Sequence, residues 1–313
     1  MLVAAGPLVV AGLGFALAER LLLGAVPPAL HLARRMQPVG AAAAVAALLV
    51  DEGTLAGVLA CGWMAVCLCA TAGGVGVVRD LWRASPSRHT LGHLTIAVGL
   101  GYLSVGGAFL VISRLGLHPF DLSSDIVRLT SVHFHYAGFG LAVLAAAGLA
   151  SVDWLASAVS LVTGCVAAMA SPPFVAIGFL FDSAPGQVLG ALGMTVAAWA
   201  VAFGTLLLAT SSSALSPPAD APASASSRRA DLARRAGRSL LVVSALSPII
   251  PMVLAVQWAL AQHTSMPALS IDAMASTHGV LNAVGFVGAG LVGWLLTGLP
   301  VAASRTVTRA DTA

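Results

Sequence analysis

Apolar runs recur along the whole chain, separated by short polar stretches. A membrane-crossing helix needs about 20 mostly apolar residues. On that length nine runs qualify, near 2–18, 38–50, 54–78, 91–113, 124–149, 154–181, 186–209, 239–261 and 271–297. The second is short, and only Asp51-Glu52-Gly53 divides it from the third. The pattern therefore predicts an all-α, polytopic transmembrane helix bundle of about nine spans. Residues 1–209 hold the first seven and 239–298 the last two. Between them lies a Ser/Ala/Pro/Arg-rich linker, 210–238, whose first part has the composition of a disordered segment. A short tail, 299–313, ends the chain. The sixth span contains "SPPF" (171–174), where two prolines remove two backbone donors. That predicts a kinked or broken helix.

Composition agrees. The chain is 9% charged, where a soluble domain is about a quarter charged, so most of it is expected in lipid. Mean hydropathy is +0.96. The first apolar run lacks a basic n-region and many more follow, so it reads as a span rather than a signal peptide. All 15 basic residues are arginines, and a net charge of +3, widely scattered, gives no reason to expect nucleic acid. Their placement is more informative. With nine spans, one set of loops holds thirteen: Arg20, Arg34, Arg35, Arg79, Arg83, Arg88, Arg228, Arg229, Arg234, Arg235, Arg238, Arg305 and Arg309. The other holds Arg114 and Arg128. Arginine concentrates on the cytoplasmic side. The expectation is an N-out, C-in protein of the inner (plasma) membrane, with the linker and the tail in the cytoplasm. The four cysteines, Cys61, Cys67, Cys69 and Cys165, sit in apolar runs and read as small buried thiols.

Candidate chemistry lies in the few ionisable residues inside spans, where they are expensive and point to function by default. Three of the eight histidines qualify: His133 and His135 in span five, His278 in span nine. At about 1.5 Å per residue, His133 and His135 lie roughly 13–17 Å below the outer entrance, and His278 roughly 10 Å below it. If the two helices pack together, the three imidazoles share one cavity. Residues two apart on a regular helix point about 200° apart, so His133 and His135 cannot both hold one small metal ion. Tyr136 follows His133 by three positions, and Asn282 follows His278 by four, so each pair shares a helix face. Gly285 and Gly288 allow close helix approach. Before span five, "RLGLHPFDLSSDIVRL" (114–129) carries His118, Asp121 and Asp125. With Asp272, and with Asp51, Glu52 and Asp182 at other outer span ends, these would form an acidic vestibule above the histidines. Asp121 or Ser124 is placed to cap the entering helix, and Asp125 and Arg128 to pair.

Two resemblances follow. "HFHY" (133–136) resembles one helix of the haem-copper oxidases, where such a run ligates two haems on opposite faces; that family's other ligand motifs are absent here. More broadly, "VHFHYAGF" (132–139) and "THGVLNAVGF" (277–286), in that order on a chain of many spans, are similar to the YndJ-like family of bacterial polytopic membrane proteins. The resemblance implies signature positions at His133, His135, Tyr136, Gly138, Phe139, His278, Asn282 and Gly285, without a role for any of them.

The leading expectation is a transporter. Imidazoles that change charge near neutral pH would relay protons or bind a small solute at His133, His135, Tyr136, His278 and Asn282. The first alternative is a redox or metal protein, with haem or a transition metal on His133, His135 or His278. The second is a structural or partner-binding membrane protein whose histidines only join helices. No nucleophile–base set, paired carboxylates or phosphate-cradling loop argues for an enzyme.

Overall fold

The computed structural model describes residues 1–22, 26–87, 89–152, 155–211 and 225–298, and all regular structure among them is helical. The helices are α1 (Leu2–Leu21), α2 (Pro28–Leu49), α3 (Thr54–Arg83), α4 (Thr90–Arg114), α5 (Ser124–Ala150), α6 (Leu155–Leu180), α7 (Ala184–Thr210), α8 (Ala225–Leu246), α9 (Ile249–Ala261) and α10 (Ile271–Thr297). Among the described residues, eight segments are long and apolar enough to cross a membrane, α8 and α9 together making one of them. The protein is a multi-pass transmembrane helix bundle.

A further helix, α2, has crossing length at 22 residues but is not among those eight. It lies antiparallel along α3: a Cβ on Gly73 would meet Leu30, one on Gly62 would meet Ala43, and one on Gly40 would meet Val66. The apolar run at 38–50 is thus the second half of a helix that starts at Pro28 and passes through Pro38. His31, Arg34 and Arg35 made its first half read as loop. Arg34 and His31 both bond to Glu19 of α1, His31 at 3.1 Å, so the polar end of α2 is tied to its neighbour.

Two expected boundaries change. α6 is not broken at "SPPF": it continues through Pro172 and Pro173. Pro173 removes the donor that the Met169 carbonyl would use, and the Tyr102 hydroxyl of α4 donates to that carbonyl instead. α6 then packs tightly on α7, with Gly178 against Gly186 and Gln187, and Gly190 against Val175. The span that α8 and α9 make together, in contrast, is interrupted at Ser247–Pro248. The arginine-bearing part of the predicted linker is helical from Ala225 onward and runs into this passage. Residues 212–224 and 299–313, with Arg88, Arg305 and Arg309, lie outside the described residues.

Four stretches leave α-geometry for π-turns: Gly6–Val10 in α1, Phe134–Gly140 in α5, and Ala275–Gly279 and Leu281–Gly288 in α10. Such turns are rare and gather at functional sites. Three of them meet at Gly140, where a Cβ would touch Val10 and Val287.

Arg114 supplies the main polar clamp at the outer end. It is the last residue of α4 and only 8% exposed, not the loop arginine its position suggests. Its Nε donates to the Ala47 carbonyl at 3.1 Å and one terminal nitrogen to the Val50 carbonyl at 2.7 Å, while the other reaches Glu52 at 3.3 Å. The guanidinium therefore caps the C-terminus of α2, where helix carbonyls lack partners. Arg114→Met is expected to lower stability by roughly 2–3 kcal/mol, the scale of losing charge-assisted hydrogen bonds. Arg114→Lys recovers only part of this, because an ammonium lacks the planar fork. Thermal unfolding of the detergent-purified protein reads both.

Candidate functional site

The π-turn in α5 divides the two neighbouring histidines. His135 points inward and is 2% exposed. Its Nε2 accepts from the Trp63 indole of α3 at 2.9 Å, and its Nδ1 donates to the Ser131 carbonyl at 2.7 Å. The indole can only donate, so this tautomer is fixed. Glycines make room for the ring: a Cβ on Gly106 of α4 would lie 2.7 Å from Nδ1, and one on Gly6 of α1 would lie 3.2 Å from the ring. Ser131 donates to the Gly106 carbonyl at 2.9 Å, completing the join between α4 and α5. His135 thus has both nitrogens engaged and three other helices against it.

His133 faces elsewhere. It is exposed, and its Nδ1 bonds to the Leu129 carbonyl at 3.0 Å. Its Nε2 makes no hydrogen bond among the described residues. The half-buried His278 ring donates from Nδ1 to the Pro251 carbonyl of α9 at 2.7 Å. Asn282, one turn on, holds its amide nitrogen 3.5 Å from His278 Nε2 and 3.6 Å from Met252 Sδ. Its Oδ1 is buried without a donor among the described residues. An unpaired buried acceptor costs about 1–3 kcal/mol. Exchanging the two amide atoms leaves the nitrogen over instead, so one polar atom is unpaired in either orientation.

The structure therefore puts Asn282 beside His278, turns His133 away from His135, and sets His135 against Trp63. Tyr136 is buried and donates to the Leu2 carbonyl of α1 at 3.1 Å, tying the chain's first turn to α5. The partners Trp63, Pro251 and Met252 were not foreseen. They lie on other helices, and only the prolines at 248 and 251 marked that stretch of sequence as irregular.

Toward one end of the bundle is an open crevice of about 430 Å³ between the ends of α5, α6, α7, α9 and α10. Ile126, Trp258 and Ile271 are among its walls. Each stands seven residues, or roughly 10 Å, from a member of the deeper group: Ile126 from His133, Trp258 from Pro251, Ile271 from His278. The crevice and the histidines are stacked along the same three helices. Of the expected vestibule, Asp121 lines the crevice and Asp182 joins it. His118, Asp125 and Asp272 do not line it, and Asp125 pairs with Arg128. Asp51 and Glu52 sit at the α2–α3 turn, where Glu52 meets Arg114.

Metal ligation has little support in this geometry. Among the described residues no three of His, Cys, Asp and Glu gather as a metal set. A haem on His135 would have to displace the Trp63 indole and open the Gly6 and Gly106 contacts. All four cysteines are free, with Cys67 and Cys165 buried.

The sequence model of a family described as "YndJ-like protein" matches residues 1–286. The chain belongs to the YndJ-like family. The match takes in all ten helices except the end of α10, and with them both histidine motifs. No curated protein and no solved structure matches the chain.

Trp63→Phe removes the one donor to His135 Nε2. It is expected to destabilise the protein by about 1–3 kcal/mol, as an acceptor is left buried and unpaired. Thermal unfolding should register the loss, and a Trp63→Phe protein that melts with the unaltered one would show that this bond does not hold α3 to α5.

Proposed function

We propose that this YndJ-like protein is a transporter of the inner (plasma) membrane, oriented N-out and C-in, whose small-solute or proton site is formed by His133, His278 and Asn282. Orientation rests on the arginine bias, thirteen against two. One observation carries the rest. Inside spans, His133 has an Nε2 with no hydrogen bond among the described residues and His278 lies beside the unpaired Asn282 amide oxygen, each histidine seven residues from a wall of an open crevice. Intramembrane ionisable residues of this kind mark solute and proton pathways. The proposed division of labour gives His133 Nε2 and Asn282 Oδ1 to the solute or proton. His278 is oriented by Pro251. His135 and Tyr136 hold α5 to its neighbours rather than touch what passes.

Irregular backbone near the site supports this. Non-helical backbone is tolerated at membrane depth where it is buried in protein or lines a cavity. The α8–α9 break is held by Trp199 Nε1, which donates to the Pro248 carbonyl at 3.3 Å. Ser244 donates to the Phe286 carbonyl within the π-turn of α10 at 2.7 Å. Both irregular stretches flank His278.

Reconstituted into liposomes with a trapped pH dye, the protein is expected to conduct protons under an imposed potential. His278→Asn, and His133→Gln combined with it, should reduce the rate at least about tenfold, equivalent to ~1.4 kcal/mol. Full flux from the double variant, or no flux from the folded unaltered protein, overturns the reading.

A further inference from the structure

The walls of the outer crevice have a composition that narrows what can bind there. Asp121 and Asp182 contribute carboxylates. Phe120, 72% exposed, and the stacked pair Phe179 and Trp258, with ring centroids 6.0 Å apart, contribute aromatic surface. No arginine and no histidine is among the described lining residues. The nearby Arg128 is paired with Asp125, outside the lining. Behind the wall, the buried Gln187 donates to Asp182 at 3.4 Å and bonds to His263 at 3.0 Å, which fixes that carboxylate's support.

Each part of this lining selects the same class of ligand. Carboxylates without a matching cation repel anions and attract positive charge. Aromatic faces attract a cation through the ring quadrupole, most when it is poorly hydrated. A small, strongly hydrated metal ion is better served by a cage of oxygens alone. We propose that the crevice is a recognition site for a small organic ammonium ion, held between the Asp121 and Asp182 carboxylates and the faces of Trp258, Phe179 and Phe120. This deepens the transport reading and rests on it, since the crevice stands directly above His133 and His278.

The aspartates allow a clean test. Both have left-handed backbone, with φ of 59° at Asp121 and 43° at Asp182. Asparagine tolerates that conformation as aspartate does, so Asp→Asn removes charge and keeps the turn. The full-chain protein in detergent would be titrated calorimetrically with choline and with dimethylbutanol, its uncharged isostere. Choline is expected to bind saturably, and the isostere at least about tenfold more weakly. Asp182→Asn, Asp121→Asn and Trp258→Leu should each weaken choline by about tenfold, the scale of one desolvated cation–π or charge contact. Asp51→Asn, an exposed acidic residue at the α2–α3 turn and off the lining, should change nothing. Equal binding of the isostere, no choline binding by folded protein, or an equal loss with Asp51→Asn overturns the proposal. The transport reading fails separately. Histidine-dependent proton flux without choline binding leaves transport standing and removes the ammonium site. Choline binding without such flux leaves a binding site that feeds no pathway.

Discussion

Within a bilayer no water is at hand for an unpaired backbone carbonyl, and each one left open is costly. The arrangement of this bundle follows from that constraint. The helices carry prolines and π-turns at several depths, and nearby side chains serve the carbonyls there. Tyr102 serves Met169 below Pro173, Gln37 serves Pro7 at 2.7 Å, and Ser244 serves Phe286. Arg114 serves the end of α2, and Tyr136 serves Leu2. Each bond joins two helices, so local irregularity is turned into tertiary linkage. The polar residues of the spans are therefore of two kinds: those consumed by backbone repair, and the few left over.

That division separates the histidines. His135 is consumed, with an indole on one nitrogen and a carbonyl on the other. His133 keeps one nitrogen, and Asn282 keeps one oxygen. A polar group that the fold does not use is where a function is most economically placed, because the surrounding structure already carries the expense of its burial. On the transport reading, the opposed directions of His133 and His135 divide holding the bundle together from facing the proposed pathway.

Much of the architecture was legible in the sequence, because apolar runs of crossing length leave few alternatives. The boundaries that shifted did so for local reasons. α2 begins among arginines, which mask a helix whose polar end is paired with Glu19. "SPPF" reads as a break because proline removes donors; Tyr102, 67 positions away, makes continuity possible. The histidine motifs were visible as intramembrane polar residues. The engagement of His135 by Trp63 was not visible, since nothing in one sequence links positions 63 and 135. Of the acidic residues expected from charge alone at a vestibule, Asp121 and Asp182 line the crevice and the others do not. Two of its three aromatic residues come from α6 and α9, whose ends meet only in the folded bundle.

The crevice and the deeper group differ in how they treat charge, and the difference sets an order for what passes. The outer lining offers carboxylates near water, where attraction is long-ranged and screened by salt. The inner group offers neutral-capable imidazoles and an amide, which bind without presenting a fixed charge to the membrane core. A cation drawn to the crevice would meet no fixed counter-charge among His133, His278 and Asn282. Its onward movement would therefore be resisted by desolvation unless proton loss from the cation or a local backbone change offsets it. An amine that can shed its proton satisfies that condition and a permanently charged quaternary ion does not, so the quaternary probe that best defines the crevice is expected to bind there without crossing.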